Sequence, residues 1–358
     1  MSDRLWVSTR KGLFRLRLQG SGWAIDKVSL LSHPVSATFA DPRDGSVYAA
    51  LNLGHFGVKL HRSDDGGETW TEVAVPAYDK AEDGTGPSLH QIWVIEAAGP
   101  STSDGLWCGT SPGGLFFSAD RGQTWSLNRN LWDRPERQQW FGGGTDQPAL
   151  HSVCVDPRNK RNVSVAVSCG GVARTKDGGE TWTSDSTGMF AEYMPPEKQG
   201  DPNIQDPHRM VRCTAAPDHL WVQHHNGVFR STDDARSWEH VKGLQPSSFG
   251  FAVAVHPTKP ETAWFVPGVK DETRIPVEGK LCVTRTRDGG KTCDVLRNGL
   301  PQDHCYDLVF RHALDIDATG NRLAFGSTTG NLWTTSDGGD HWTMLPNHLP
   351  PIYAVRFG

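Results

Sequence analysis

The string SDDGGETW at residues 63–70 carries two aspartates beside a glycine pair. That pattern suits a calcium loop, a phosphate cradle or a catalytic acid. Other residues also offer chemistry. Tyr306 and Tyr353 can act as nucleophile or acid/base groups beside a carboxylate, and Asp146 and Asp307 are the carboxylates to test with them. Arg10, Arg209, Arg212 and Arg274 present guanidinium forks that fit a carboxylate ligand. His55, His90, His151 and His225 supply imidazoles, of which His90, His151 and His225 are the candidates if a metal is held. Gln91 adds an amide and Trp140 a ring for stacking on a ligand.

Which of these groups can meet depends on the elements that carry them, and the string at 63–70 is the key to those elements because it repeats. SADRGQTW covers 118–125, TKDGGETW 175–182, STDDARSW 231–238, TRDGGKTC 286–293 and TSDGGDHW 335–342. A degenerate copy, LRLQGSGW, lies at 16–23. The tryptophan position, occupied by Cys293 in one copy, recurs at steps of 55, 57, 56, 55 and 49 residues. A period near 50 signals a radial or solenoid array. Each unit reads as four short strands; in the third these are 150–157, 163–168, 170–179 and 181–185. Seven such units predict an all-β, seven-bladed propeller occupying residues 1–358 as a single domain. PPIYAVRFG at 350–358 reads as an innermost strand and RLWVSTRKGLFRLRL at 4–18 as the next two, so the ring is expected to close by joining the two ends in one blade.

Within this frame the box has a structural role at every position. Its Asp and Ser/Thr oxygens accept turn N–H groups, its Gly adopts φ > 0, and its Trp starts the outer strand. Asp65 therefore reads as a turn brace, and chemistry is expected across the ring. Counting from each box to the next inner strand gives short returns in four units and long ones at 71–89, 126–150 and 183–210. A further insertion spans 268–280. Long connections of this kind often carry function. The same count places Ser36, His90, His151, Val211, Phe251, Tyr306 and Tyr353 in a ring at the channel mouth.

These boxes make the chain similar to the Asp-box, or BNR-repeat, propellers, a superfamily of sialidases, xyloglucan hydrolases, sorting-receptor propellers and photosystem assembly factors. Thr9 to Phe14, TRKGLF, resembles a string of the bacterial "glycosyl hydrolase, BNR repeat" proteins. The resemblance implies boxes on the outer rim and a site away from them, without fixing one activity. Sialidases use a Tyr in place of a second carboxylate, which is what the resemblance implies for Tyr306 or Tyr353. TRIP at 273–276 resembles the sialidase [FY]RIP motif, but Thr273 replaces the aromatic and the string follows the fourth strong box instead of preceding the first. A true sialidase is therefore not expected.

The leading expectation is a hydrolase acting on a carbohydrate or other anionic small molecule. A ligand- or protein-binding scaffold without chemistry is the first alternative, and a His-ligated metal enzyme the second. No cofactor is expected outside that second case, where a divalent metal would be held. A net charge of −5 without a basic stripe argues against nucleic acid. No leader-like or membrane-spanning run occurs, and seven cysteines without a CxxC pair fit reduced thiols, so a cytoplasmic location is expected. Oligomeric state is left open by the sequence.

Overall fold

Short alternating strands bury one face each and need partners on both sides, which a closed ring of sheets supplies. The computed structural model describes residues 2–20 and 22–358 and contains seven four-stranded antiparallel sheets. The inner strands of blades 2 to 7 are Val35–Ala40, Gln91–Ala97, Ala149–Asp156, Pro207–Arg212, Gly250–Val255 and Leu314–Ile316. Blade 1 is composite. Its inner strand, Ile352–Phe357, pairs antiparallel with Arg4–Thr9, which continues into Gly12–Gln19 and Gly22–Ser29. The four strands of the third repeat fall at Ala149–Asp156, Asn159–Ser168, Gly171–Thr175 and Thr183–Ser184, where the sequence places them.

The boxes sit on the hairpins between third and fourth strands. In blade 2, Ser63 donates to Asp65 and accepts the Gly67 N–H, while Asp65 accepts from the backbone of Glu68 and Thr69 and from the Thr69 hydroxyl at 2.6 Å. The same bonds recur around Asp120, Asp177, Asp233 and Asp288. The last box has His341 for Thr, and Asp337 keeps the backbone bond. The degenerate box at 16–23 contains Ser21, which lies outside the described residues. The box tryptophans tie neighbouring blades together. Trp125 donates its indole N–H to the Ala74 carbonyl of blade 2, and Trp238 donates to the Asp185 carbonyl of blade 4. Apolar side chains fill the seams, as between blades 7 and 1, where Phe325, Trp333 and Trp342 meet Leu5, Val7, Ile352 and Val355.

One irregularity recurs around the ring and positions the mouth. Six inner strands carry a β-bulge at the same level. The register skips Ser36, Trp93, His151, His208 and Tyr353, and in blade 6 it skips Phe251 with Ala252. A bulge leaves its extra residue unpaired and re-aims the side chain. In blade 7 the inner strand is short, and a parallel bridge from His312 to Ala354 sets Arg311 level with Tyr353. The sequence count thus lands on the bulged residue in four blades. It is corrected in three: Trp93 in place of His90, His208 in place of Val211, and Arg311 in place of Tyr306.

All seven cysteines are free, and six are buried. Among the described residues no helix is long and apolar enough to cross a membrane.

Candidate functional site

Two cavities open on the bulged level of the ring, and Arg311 lines both. The larger, about 830 Å³, spans blades 1, 2, 3 and 7. Its wall includes Ser36, Gln91, Trp93, Phe310, His312 and Tyr353. Gln91 accepts a hydrogen bond from the Asn52 amide at 3.0 Å. The smaller, about 370 Å³, lies under the long connections. The 126–150 segment supplies Phe141, Gly143 and Thr145, the 183–210 segment Tyr193, Asp206 and His208, and the 268–280 insertion Asp271, Glu272 and Arg274. Three of the four long segments therefore converge on it.

At the floor of the smaller cavity, Asp206 Oδ2 faces His208 Nε2 at 3.3 Å and His225 Nδ1 at 3.5 Å. Register brings them together: Pro207 pairs with His224 across the hairpin, so Asp206 lies opposite His225. The other carboxylate oxygen accepts the Cys169 N–H, and His208 Nδ1 donates to the Gly250 carbonyl at 2.7 Å. Burial works to raise the Asp206 carboxyl, and His208, His225 and the Arg311 charge together outweigh it, holding it well below the usual carboxylate range. Burial pushes the His208 imidazole down, whereas the bond to Asp206 raises His225.

Arg311 is half-buried and donates to the Ser168 hydroxyl at 3.0 Å. Its Nε has no partner, and its guanidinium lies over Trp93 and Phe251 at 5.6 and 5.5 Å from the ring centres. Among the described residues it forms no ion pair with a carboxylate, and burial lowers its pKa. Arg274, by contrast, is paired with Asp271 at 2.5 Å.

Deeper in the channel the charges are matched. Arg356 pairs with Glu96 at 3.0 Å and approaches Asp315 at 3.7 Å, and burial raises both carboxyls. Arg209 faces this lower end, donates to the His151 carbonyl, and is pushed down to about 10 by burial. Arg212 pairs with Asp234 at 2.8 Å, away from the mouth.

The remaining sequence candidates are dispersed. Tyr353 and Gln91 line the larger cavity, and His225 the smaller. Tyr306 is 59% exposed and lines neither. Asp307 is buried and committed to a turn, accepting from Ser327 at 2.5 Å, Asn331 at 2.9 Å and Cys305. Asp146, Arg10, His55 and His90 are exposed. His151 is buried, with one ring nitrogen against the Pro207 carbonyl and the other against the Ser152 hydroxyl. Trp140 packs into the seam of blades 3 and 4 and leaves the cavity to Phe141. The metal candidates His90, His151 and His225 do not converge; His225 meets Asp206 and His208 instead.

No family model matches the chain. It is 27% identical over 176 residues to a sialidase of Bacteroides fragilis (strain YCH46), covering 39% of this chain and 32% of that protein. It is 23% identical over 170 residues to the photosystem II assembly lipoprotein Ycf48 of Synechococcus sp. (strain CC9902), covering 47% and 41%. The chain thus spans less than half the length of these relatives. Among solved structures, an ancestral GH74 enzyme superposes with a TM-score of 0.59 at 15% identity, over 87% of this chain and 38% of that one. The chain is a seven-bladed β-propeller similar to BNR-repeat, sialidase-like proteins. The two sequence relatives are a sialidase and an assembly lipoprotein, so the propeller's scaffold does not select between chemistry and binding.

Proposed function

We propose that the propeller binds a carboxylate-bearing carbohydrate across its mouth, with Arg311 as the anion anchor. The observation that carries this reading is Arg311 itself: a half-buried guanidinium between two cavities, stacked on aromatic rings and without a carboxylate partner among the described residues. Asp206 acts on this guanidinium only at longer range, so its hydrogen-bonding edge is left for an anionic ligand. Trp93, Phe310 and Tyr353 offer flat apolar faces that suit a sugar ring. The sialidase and GH74 relatives support the carbohydrate class. The proposed function is binding, and the carboxylates of the mouth, Asp206, Asp271 and Glu272, belong to the smaller cavity.

The test is calorimetric titration with glucuronate, galacturonate and sialic acid against their neutral counterparts. Wild type is expected to bind at least one acid sugar and to bind its neutral analogue at least about tenfold more weakly, roughly 1.4 kcal/mol. Arg311→Met should abolish that preference while keeping the wild-type melting temperature. An unchanged preference in Arg311→Met, or no acid sugar bound by wild type, would overturn the reading.

A further inference from the structure

We propose that Asp206, His208 and His225 form a binding site for a single divalent transition-metal ion, opening on the smaller cavity. The spacing fits. Two ligand atoms each about 2.1 Å from one ion stand roughly 3.0–3.5 Å apart in tetrahedral or octahedral geometry. The Asp206 carboxylate lies 3.3 and 3.5 Å from the two imidazole nitrogens, and all three donor atoms fall within 4.8 Å of one another.

Hydrogen bonding points the same way. The Gly250 carbonyl can only accept, so His208 Nδ1 carries the proton in the 2.7 Å bond between them. In the neutral ring Nε2 is then a bare lone pair, 3.3 Å from a carboxylate oxygen. Two acceptor atoms this close, in side chains 3% and 6% exposed, need a cation beside them. A second proton on His208 would serve, as would a metal ion bound by both. A backbone carbonyl holding the far nitrogen of an imidazole is the usual support for a metal-ligating histidine. Asp206 is braced likewise, by the Cys169 N–H on its other oxygen.

A second carboxylate cluster shows the contrast. Asp156, Asp218 and Asp234 also lie close together, but Arg158 bridges the first two at 2.7 and 2.6 Å, and Arg174 and Arg212 hold the third. That cluster already has its cations. Among the described residues no Lys or Arg is bonded to the His₂Asp cluster, and Arg311 acts on Asp206 only at longer range.

Two imidazoles and one carboxylate favour Zn²⁺, Fe²⁺, Mn²⁺ or Co²⁺ over Ca²⁺ or Mg²⁺, which prefer all-oxygen shells. Three protein ligands leave coordination positions open toward the cavity that Tyr193, Arg274 and Arg311 line. An ion held there can take an exogenous oxygen ligand from the mouth. Metal uptake is independent of the acid-sugar reading, since it is measured without any sugar.

The experiment uses the full chain stripped with chelator and titrated with Co²⁺, whose visible d–d bands report nitrogen and oxygen ligation. Wild type is expected to take up one Co²⁺ per chain, to show those bands, and to lose them to competing Zn²⁺. His225→Ala and Asp206→Asn should each weaken uptake by at least about 100-fold, while His55→Ala, an exposed histidine outside the site, should leave it unchanged. Circular dichroism and melting temperature establish that the variants fold. The proposal is overturned if wild type binds neither Co²⁺ nor Zn²⁺, or if His225→Ala binds like wild type. It is equally overturned if histidine NMR finds His208 Nε2 protonated in Zn²⁺-saturated protein.

Discussion

At the scale of single residues, the box aspartates and the mouth residues show how spacing fixes the role of a side chain. Asp288 is held at about 2, first by the Thr292 hydroxyl and then by backbone N–H groups. A carboxyl depressed in the folded state contributes stability above its ordinary value near 4, and that contribution is lost as pH falls through the folded value. Asp288→Asn should therefore lower the melting temperature at pH 6, and the gap from wild type should shrink between about pH 4 and 2. Thermal melts across that range check it, and a pH-independent gap would contradict the account. The box role was legible because it repeats. The mouth residues were less so, because a bulge shifts which residue faces the channel and no residue type marks it. His90 and Trp93 stand three apart, and only the Ile92–Val94 register shift identifies Trp93. Arg311 was hidden further, since blade 7 reaches its inner level by coil and not by strand. Asp206 and His225 become neighbours only through the pairing of Pro207 with His224, which the sequence does not number.

At the scale of elements, the box tryptophans are equivalent in sequence and unequal in burial. Trp342 is 1% exposed and packs edge-on against Phe325, whereas Trp125 is half-buried, packing on the core of blades 2 and 3 and donating its indole N–H to Ala74. Removing a fully buried Trp costs about 3–5 kcal/mol. Trp342→Ala is expected in that range and Trp125→Ala at about half or less, since less ring area leaves water. Urea denaturation of the two variants measures the difference; equal losses would mean that the seams share load irrespective of burial. The strand order and the turns followed directly from the period. What the period does not reveal is where each connection goes. The 71–89 segment packs down through Tyr78, whose hydroxyl meets Thr110, while the other three roof the smaller cavity.

At the scale of the whole molecule, the strand that closes the ring also neutralises its channel. Ile352–Phe357 pairs with Arg4–Thr9 and carries Arg356, which faces Glu96 of blade 3 and Asp315 of blade 7. Closure therefore couples three blades electrostatically as well as through the sheet. The pair is half-buried, so removing one member strands the other charge at a cost of at most about 3–5 kcal/mol. Arg356→Met should show a loss of that order at pH 7. Burial already raises both Glu96 and Asp315 above the ordinary carboxylate value. With a raised folded value, the ionised form is the penalised one, so destabilisation grows as pH rises past the unfolded value and is relieved as protons return. The deficit of Arg356→Met against wild type should accordingly shrink as pH is lowered from 7 toward 5. Urea melts of both proteins at pH 7, 6 and 5 read it directly. A deficit that stays constant would show that Arg356 acts through packing on the closing strand, with its charge irrelevant to how the ring is held.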